Sequence, residues 1–306
     1  MIDNLAAWAL QRGYRVAWGP ISVIEDVRRE IAGRFAASQI DDQFFEHELR
    51  AILGSKFDDS ERTAVIVAKP CPAHLVHFEL DGKSIDALLP PTYFRYRALF
   101  EEVRHDLAEN GLPGARTEIL TAPLKAVASR LGLISYGRNN ITYVEGMGSY
   151  FQLCGYLTDV ALPEMGLKPG SLLEQCEDCG VCLQMCPTGA IEEERILLRA
   201  EKCLTYVNEN AGDWPDWLDQ RGHNSLLGCL ECQRCCPVNP ELQVQDTAIR
   251  FSKIETRILL SQDLSGMDTG AENGIRIKLA WLGQPYAEPV LGRNLRALLR
   301  ATGMQM

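Results

Sequence analysis

The stretch "CEDCGVCLQMCP", Cys176 to Pro187, sets four cysteines at the spacing C-x2-C-x2-C-x3-C and closes on proline. Three thiolates so closely spaced hold three irons of one cubane [4Fe–4S] cluster, and the fourth cysteine reaches across to a second cluster. The run therefore predicts a second set of ligands and a fold that brings the two together. "GCLECQRCCPVNP" supplies Cys229, Cys232 and Cys236-Pro237, and Cys203 in "EKCLTY" completes that set. The assignment is Cys176, Cys179, Cys182 and Cys236 on one cluster, with Cys186, Cys203, Cys229 and Cys232 on the other. Cys235 stands beside a ligand and is the alternative to Cys236, which Pro237 favours as the cross-ligand.

Zinc also uses C-x2-C, but as four ligands in separated pairs. A run of four ending in proline, answered by a second Cys-Pro, is more specific for paired clusters and one-electron chemistry. Cys71 in "KPCPAH" and Cys154 in "FQLCGYL" lie in apolar surroundings and read as core residues.

The remaining bulk properties fit this chemistry. The chain has eleven cysteines in 306 residues. Its start, "MIDNLAAWALQRGYR", lacks a basic leader and reads as an amphipathic helix, and no apolar run approaches membrane-spanning length. The expectation is a cytoplasmic protein, with no membrane, whose thiols are kept open and serve as metal ligands instead of disulfides. Acidic side chains number 41 against 31 basic ones, a net charge of −10. That balance argues against a long polyanion such as RNA as partner.

Around the cysteines the chain reads as α+β. Residues 22–53 read as helices, with Val23, Val27, Ile31 and Phe35 on one stripe. "TAVIVAKP" reads as a buried strand. "HLVHFELDGKSIDALL" reads as a hairpin turning at Asp81-Gly82. A helix is expected over 93–109, a strand at "RTEIL", a helix at "PLKAVASRLG", and two strands about the Gly-rich turn of "NNITYVEGMGSYFQLCGYLTDVAL". The expected units are an α+β domain over 1–170, a double-cluster domain over 171–245, and a mostly helical segment over 246–306 with a polar loop at 261–274. There is no phosphate loop. "GMGSYF" fails as a dinucleotide fingerprint, because Phe151 replaces the third glycine and the motif joins two strands. The histidines at 47, 74, 77, 105 and 223 form no metal-binding pair at helical spacing.

From about Thr63 to Leu242, and more weakly in "VLGRNLRALL", the chain resembles the epoxyqueuosine reductases, which belong with the reductive dehalogenases. "ASRLGLISYGRNN", "GSYFQLCGYLTD", "CGVCLQMCPTGAI", "KCLTY" and "GCLECQRCCPVNP" follow in that family's order, and "YFRYRALFEEV" resembles its Asp-Tyr-His-containing helix. The resemblance implies a nitroreductase-like corrinoid-binding domain, a ferredoxin-like double [4Fe–4S] domain and a C-terminal helical segment packing back on the core. It also implies a base-off corrinoid of the cobalamin type. Candidate corrinoid-lining residues are Ser135, Tyr136, Gly137, Arg138, Asn139, Gly148 and Ser149; a tight turn with a surface arginine is the plainer reading of the same stretch.

Departures from the family are as informative. Where it carries a proton-donating Asp in Val-Asp-Ser/Thr-Ala-Pro, this chain has "ILTAP" with Leu120. Thr92-Tyr93-Phe94 stands for Asp-Tyr-His, so only Tyr93 survives, and the family's helical-repeat extension is missing. With the acidic charge, these differences argue against tRNA as substrate. Glu118, two residues before Leu120 and on the same strand face, is a candidate replacement acid beside Tyr93; a solvated strand-edge glutamate is the alternative. Two functions follow, with a cluster-bearing binding module without turnover as a weaker third. One is a reductase passing electrons through both clusters to a corrinoid that reduces a small molecule. The other is an electron-transfer protein that reactivates the corrinoid of a partner protein. Either needs an electron donor of the ferredoxin or flavodoxin type.

Overall fold

The apolar run at 63–70 becomes the spine of a sheet buried on both faces. In the computed structural model, which describes residues 2–58, 60–163, 165–166, 168–194, 197–261 and 269–301, the strands are β1 (Arg15–Pro20), β2 (Thr63–Pro70), β3 (Ala73–Leu80), β4 (Lys83–Leu89), β5 (Thr117–Ile119), β6 (Ser135–Tyr136), β7 (Thr142–Tyr143), β8 (Phe151–Thr158) and β9 (Val244–Phe251). The first sheet has the order β1-β2-β8-β5, and each pair is antiparallel. The principal helices are α1 (Ile2–Gln11), α2 (Ser22–Ala36), α3 (Tyr96–Asp106), α4 (Leu124–Arg130), α5 (Val181–Met185), α6 (Leu204–Glu209), α7 (Glu231–Arg234), α8 (Lys253–Ser261), α9 (Thr269–Leu282) and α10 (Glu288–Ala301).

Because strand side chains alternate, β2 sends Val65 and Val67 to one layer and Ala64, Ile66 and Ala68 to the other. The first layer holds Leu5 and Trp8 of α1 and Val103 of α3. The second holds Ile24 and Val27 of α2, Val127 of α4 and Leu120. Helices on both faces explain why β2 reads as a continuous apolar run instead of an alternating one.

A second sheet has the order β4-β3-β9. Asp81 and Gly82 both take positive φ, 48° and 78°, as a two-residue hairpin turn between β3 and β4 requires. β9 pairs parallel to β3, so the segment over 246–306, expected to be mostly helical, opens in strand. This pairing is long-range and leaves no mark in local periodicity. α8, α9 and α10 cover the sheet through Ile258, Leu279 and Leu295, against Phe78 and Phe251 stacked at 4.8 Å. A Cβ on Gly292 would lie 1.8 Å from the Leu259 carbonyl oxygen, so glycine is what lets α10 cross α8. Of the loop expected over 261–274, residues from Thr269 onward are helix; 262–268 lie outside the described residues. No helix of the described residues is long and apolar enough to cross a membrane.

The helix expected over 93–109 begins at Tyr96, after Arg95 at φ 50°. The cysteine segments lie between the sheets. The short β6–β7 hairpin and its following turn flank them on one side. The end of β4 flanks them on the other, where the Leu226 N–H donates to the Leu88 carbonyl at 2.7 Å.

Candidate metal centre

Local structure presents each thiol differently. Cys182 rides on α5, and Cys186 ends it in an extended conformation (φ −67°, ψ 114°), the region that a following proline imposes. Cys232 sits on α7, with Cys235 at its C-terminus and Cys236-Pro237 just beyond. The two short helices pack together. Cys203 is the N-cap of α6, in an extended conformation (φ −66°, ψ 128°).

Charge interactions among the thiols run mainly within two groups, with Cys182 and Cys232 in contact across them. Burial raises the Cys182 pKa to about 11, helped by the neighbouring Cys235, Cys176, Cys179 and Cys236. Burial also drives Cys232 well up, joined by Cys229, Cys203, Cys186 and Cys182. The Cys182–Cys232 interaction sets the two groups side by side. Both Cys235 and Cys236 reach the first set; Cys236 also interacts with the Tyr143 hydroxyl. All these thiols are unpaired and half-buried. No three His, Cys, Asp or Glu side chains among the described residues converge closely enough to share one ion. A cubane does not ask for that, since each of its thiolates binds a different iron. The donor set fits two cubanes further in its hydrogen bonds to sulfur: Asn224 Nδ2 donates to Cys229 Sγ at 3.2 Å, and such bonds tune cluster potentials. Cys71 and Cys154 are buried in the core, and desolvation raises both pKa values, that of Cys154 to about 12.

The glycine-rich stretch grips the cysteine segments. Arg138 donates to the carbonyls of Cys176 and Glu193, each at 3.1 Å. Asn139 Nδ2 donates to the Cys232 carbonyl and the Tyr143 hydroxyl, each at 2.9 Å. The Ser149 N–H donates to Asn239 Oδ1 at 2.8 Å, and its hydroxyl to Gln233 at 3.0 Å. Gly148, at φ 71°, lies so close that a Cβ would stand 2.6 Å from Pro240 Cδ. Gly137 makes room for Asn139 and the Tyr143 ring. Ser135 and Tyr136 pair with β7, and burial pushes the Tyr136 pKa up to about 12. Of the seven residues expected to line a corrinoid, only Asn139 and Ser149 line the cavity beside the cysteines.

That cavity encloses ≈ 200 Å³. Its wall includes Cys186, Cys203, Cys229 and Cys232, the four cysteines expected to hold the second cluster. Tyr93 and Lys125 complete the wall. Small-molecule sites run to roughly 300–1,000 Å³. A corrin is larger than such ligands, and the space left beside a cubane does not fit it.

Tyr93 donates from its hydroxyl to Glu209. Desolvation pushes the Glu209 carboxyl up to about 7, with Glu48 adding to the rise and the Tyr93 bond opposing it. Glu118 is not brought to the cavity. It is exposed on edge strand β5, near Glu61, which pairs with Arg116 at 2.6 Å. Leu120 is 2 % exposed and packs over Gly155 in the apolar core.

Sequence reasoning passed over several residues here. Asn208 exchanges two hydrogen bonds with the backbone of Gly228, at 2.6 and 2.9 Å. Asn294 donates to the carbonyls of Asn208 and Leu226 at 2.8 and 3.1 Å, and Arg293 donates to those of Val207 and Asn208 at 3.0 and 3.2 Å. The polar "RN" inside the apolar "VLGRNLRALL" was the available signal. Lys125 offered none, because a lone lysine on a short helix reads as surface.

Residues 175–239 match the family described as a 4Fe-4S double cluster binding domain. This is a two-cluster iron–sulfur domain. The epoxyqueuosine reductase of Pseudomonas aeruginosa is 33% identical over 181 residues, which cover 58% of this chain and 47% of that protein. The epoxyqueuosine reductase of Bacillus subtilis is 29% identical over 143 residues, 44% of this chain and 36% of that one.

The chain is a homologue of the epoxyqueuosine reductases.

It spans about half the length, or less, of the curated relatives it matches. Their fold extends over nearly all of it. The solved epoxyqueuosine reductase of Streptococcus thermophilus covers 97% of this chain and 80% of its own at TM-score 0.68 and 15% identity. A crystal structure of epoxyqueuosine reductase with an epoxyqueuosine-modified tRNA-Tyr stem loop covers 98% and 80% at TM-score 0.66 and 18% identity. At such identities the likeness is one of mixed α+β fold.

Proposed function

We propose that this epoxyqueuosine reductase homologue is an iron–sulfur oxidoreductase that carries single electrons through two [4Fe–4S] clusters to an acceptor at the cavity mouth. The clusters, when bound, supply one-electron transfer, and the protein's part is to hold, insulate and orient. Cys176, Cys179, Cys182 and Cys236 would hold the outer cluster. Cys186, Cys203, Cys229 and Cys232 would hold the inner one. The observation that carries this reading is that all four cysteines of the second set wall a cavity shared with Lys125 and Tyr93. Electrons reaching that set leave beside a cation and a phenol. Tyr93, with Glu209 behind it, is the proton source supported here, since Leu120 is in the core and Glu118 stands away from the cavity.

A second reading has its own support. The cavity is too small for a corrin, and most residues expected around one are spent on the cysteine segments. This favours an electron-transfer protein that reduces a corrinoid presented by a partner. A small molecule remains the acceptor class for the first reading. The acidic balance, 41 against 31, supports neither reading with tRNA as substrate.

Anaerobic reconstitution with iron, sulfide and cobalamin, followed by gel filtration, EPR and absorbance, tests all of this. About eight irons per chain and two interacting one-electron centres are expected, with no cobalamin retained. Retained base-off cobalamin would overturn the partner reading. Zinc alone, or no metal, would overturn both.

A further inference from the structure

Lys125 lies on α4, and its ammonium reaches the cavity walled by the second cysteine set. By surface area it is exposed, and it borders the cavity. Loss of water lowers its pKa, and Cys203 and Cys232 pull it back up; no other charged group acts on it among the described residues. No described residue gives it an ion pair or a hydrogen bond. The cavity lining around it offers four cysteines and no carboxylate, so a cation there faces thiolates and nothing else of opposite charge.

Resting on the two-cluster reading above, we infer that Lys125 is the built-in counter-charge of the cluster held by Cys186, Cys203, Cys229 and Cys232, and that it raises that cluster's reduction potential. A thiolate-ligated cubane is anionic, and taking up an electron makes it more so. A fixed cation beside it stabilises the reduced form more than the oxidised one, and net charge is among the factors that set cluster potentials. The ammonium and the cluster thus offset each other's charge. Lys125 is a positioning charge, acting through the cluster and not on a substrate.

The test is a mediated redox titration followed by EPR on reconstituted wild type, Lys125→Met and Lys125→Arg. Lys125→Met keeps the length of the stem and removes the charge; Lys125→Arg keeps the charge. The expected result is that Lys125→Met makes reduction of one centre at least tenfold less favourable, a fall of about 59 mV for one electron. The other centre should stay put, and Lys125→Arg should remain near wild type. If Lys125→Met cannot hold the second cluster while Lys125→Arg can, the counter-charge is supported in a stronger form. Unchanged midpoints, equal shifts at both centres, or loss of the cluster in both variants would overturn it. A wild type lacking two centres would instead sink the two-cluster reading, so the two failures are distinct.

Discussion

Acid should loosen the second cysteine segment first, through His223. Its ring is 4 % exposed, set edge-on to Trp214 at 4.7 Å, with Nδ1 3.2 Å from the Gln220 carbonyl and Nε2 without a partner. Desolvation lowers its pKa to about 4 from 6.5; Arg293 adds to the fall and the Gln220 contact opposes it. Above pH 6.5 the ring is neutral in both folded and unfolded chains and costs nothing. As pH falls, the unfolded chain takes a proton that the folded one refuses, so stability is lost from 6.5 down to about 4 and is level below that. Linkage gives a loss of about 2 kcal/mol at pH 5 and about 3 kcal/mol at the acid limit. The next residue, Asn224, bonds both Cys229 Sγ at 3.2 Å and the Leu230 N–H at 3.0 Å, so the cost falls on the loop that carries Cys229. The assay is urea unfolding of the anaerobic protein from pH 7.5 to 4.5, with iron release followed in parallel. His223→Phe keeps the ring against Trp214, gives up one hydrogen bond worth about 1 kcal/mol, and should flatten the profile across 4.5–6.5. If wild type and variant lose stability equally over that window, His223 is not buried as a neutral ring.

The cross-ligand can be settled by counting iron. Cys236→Ser should drop the content from about eight to about four per chain, and Cys235→Ser should leave it near eight; the reverse outcome would make Cys235 the ligand. Gly148→Ala should destabilise the protein by at least about 1–2 kcal/mol from its left-handed backbone alone, and lose iron as well, because its Cβ would meet Asn239 at 2.7 Å; urea titration and iron assay read both. Tyr93→Phe removes the hydrogen bond that lowers the Glu209 pKa, so that carboxyl should titrate above its present value of about 7. Carboxyl infrared or 13C NMR would show it, and a shift downward would refute the pairing.

Several elements were legible because their cause is local. The branched run at 63–70 could only be a buried strand, and Asp81-Gly82 turns a hairpin because both residues tolerate positive φ. Other features were not, because their cause is distant. β9 is strand because β3 offers it an edge. Glycines 137 and 148 read as room for a macrocycle. Their freedom is used instead for the approach of Tyr143 and the 239–240 loop.

Residue order alone fixes how each short cysteine segment presents its sulfurs, since spacing and a following proline act locally, whatever surrounds them. What stands beside those sulfurs follows instead from long-range packing. Lys125 on α4, Tyr93 before α3 and Glu209 on α6 are separated along the chain by tens of residues. Which side chains share a water-poor cavity depends on how helices and sheets dock, and that is a long-range fact with no local signature.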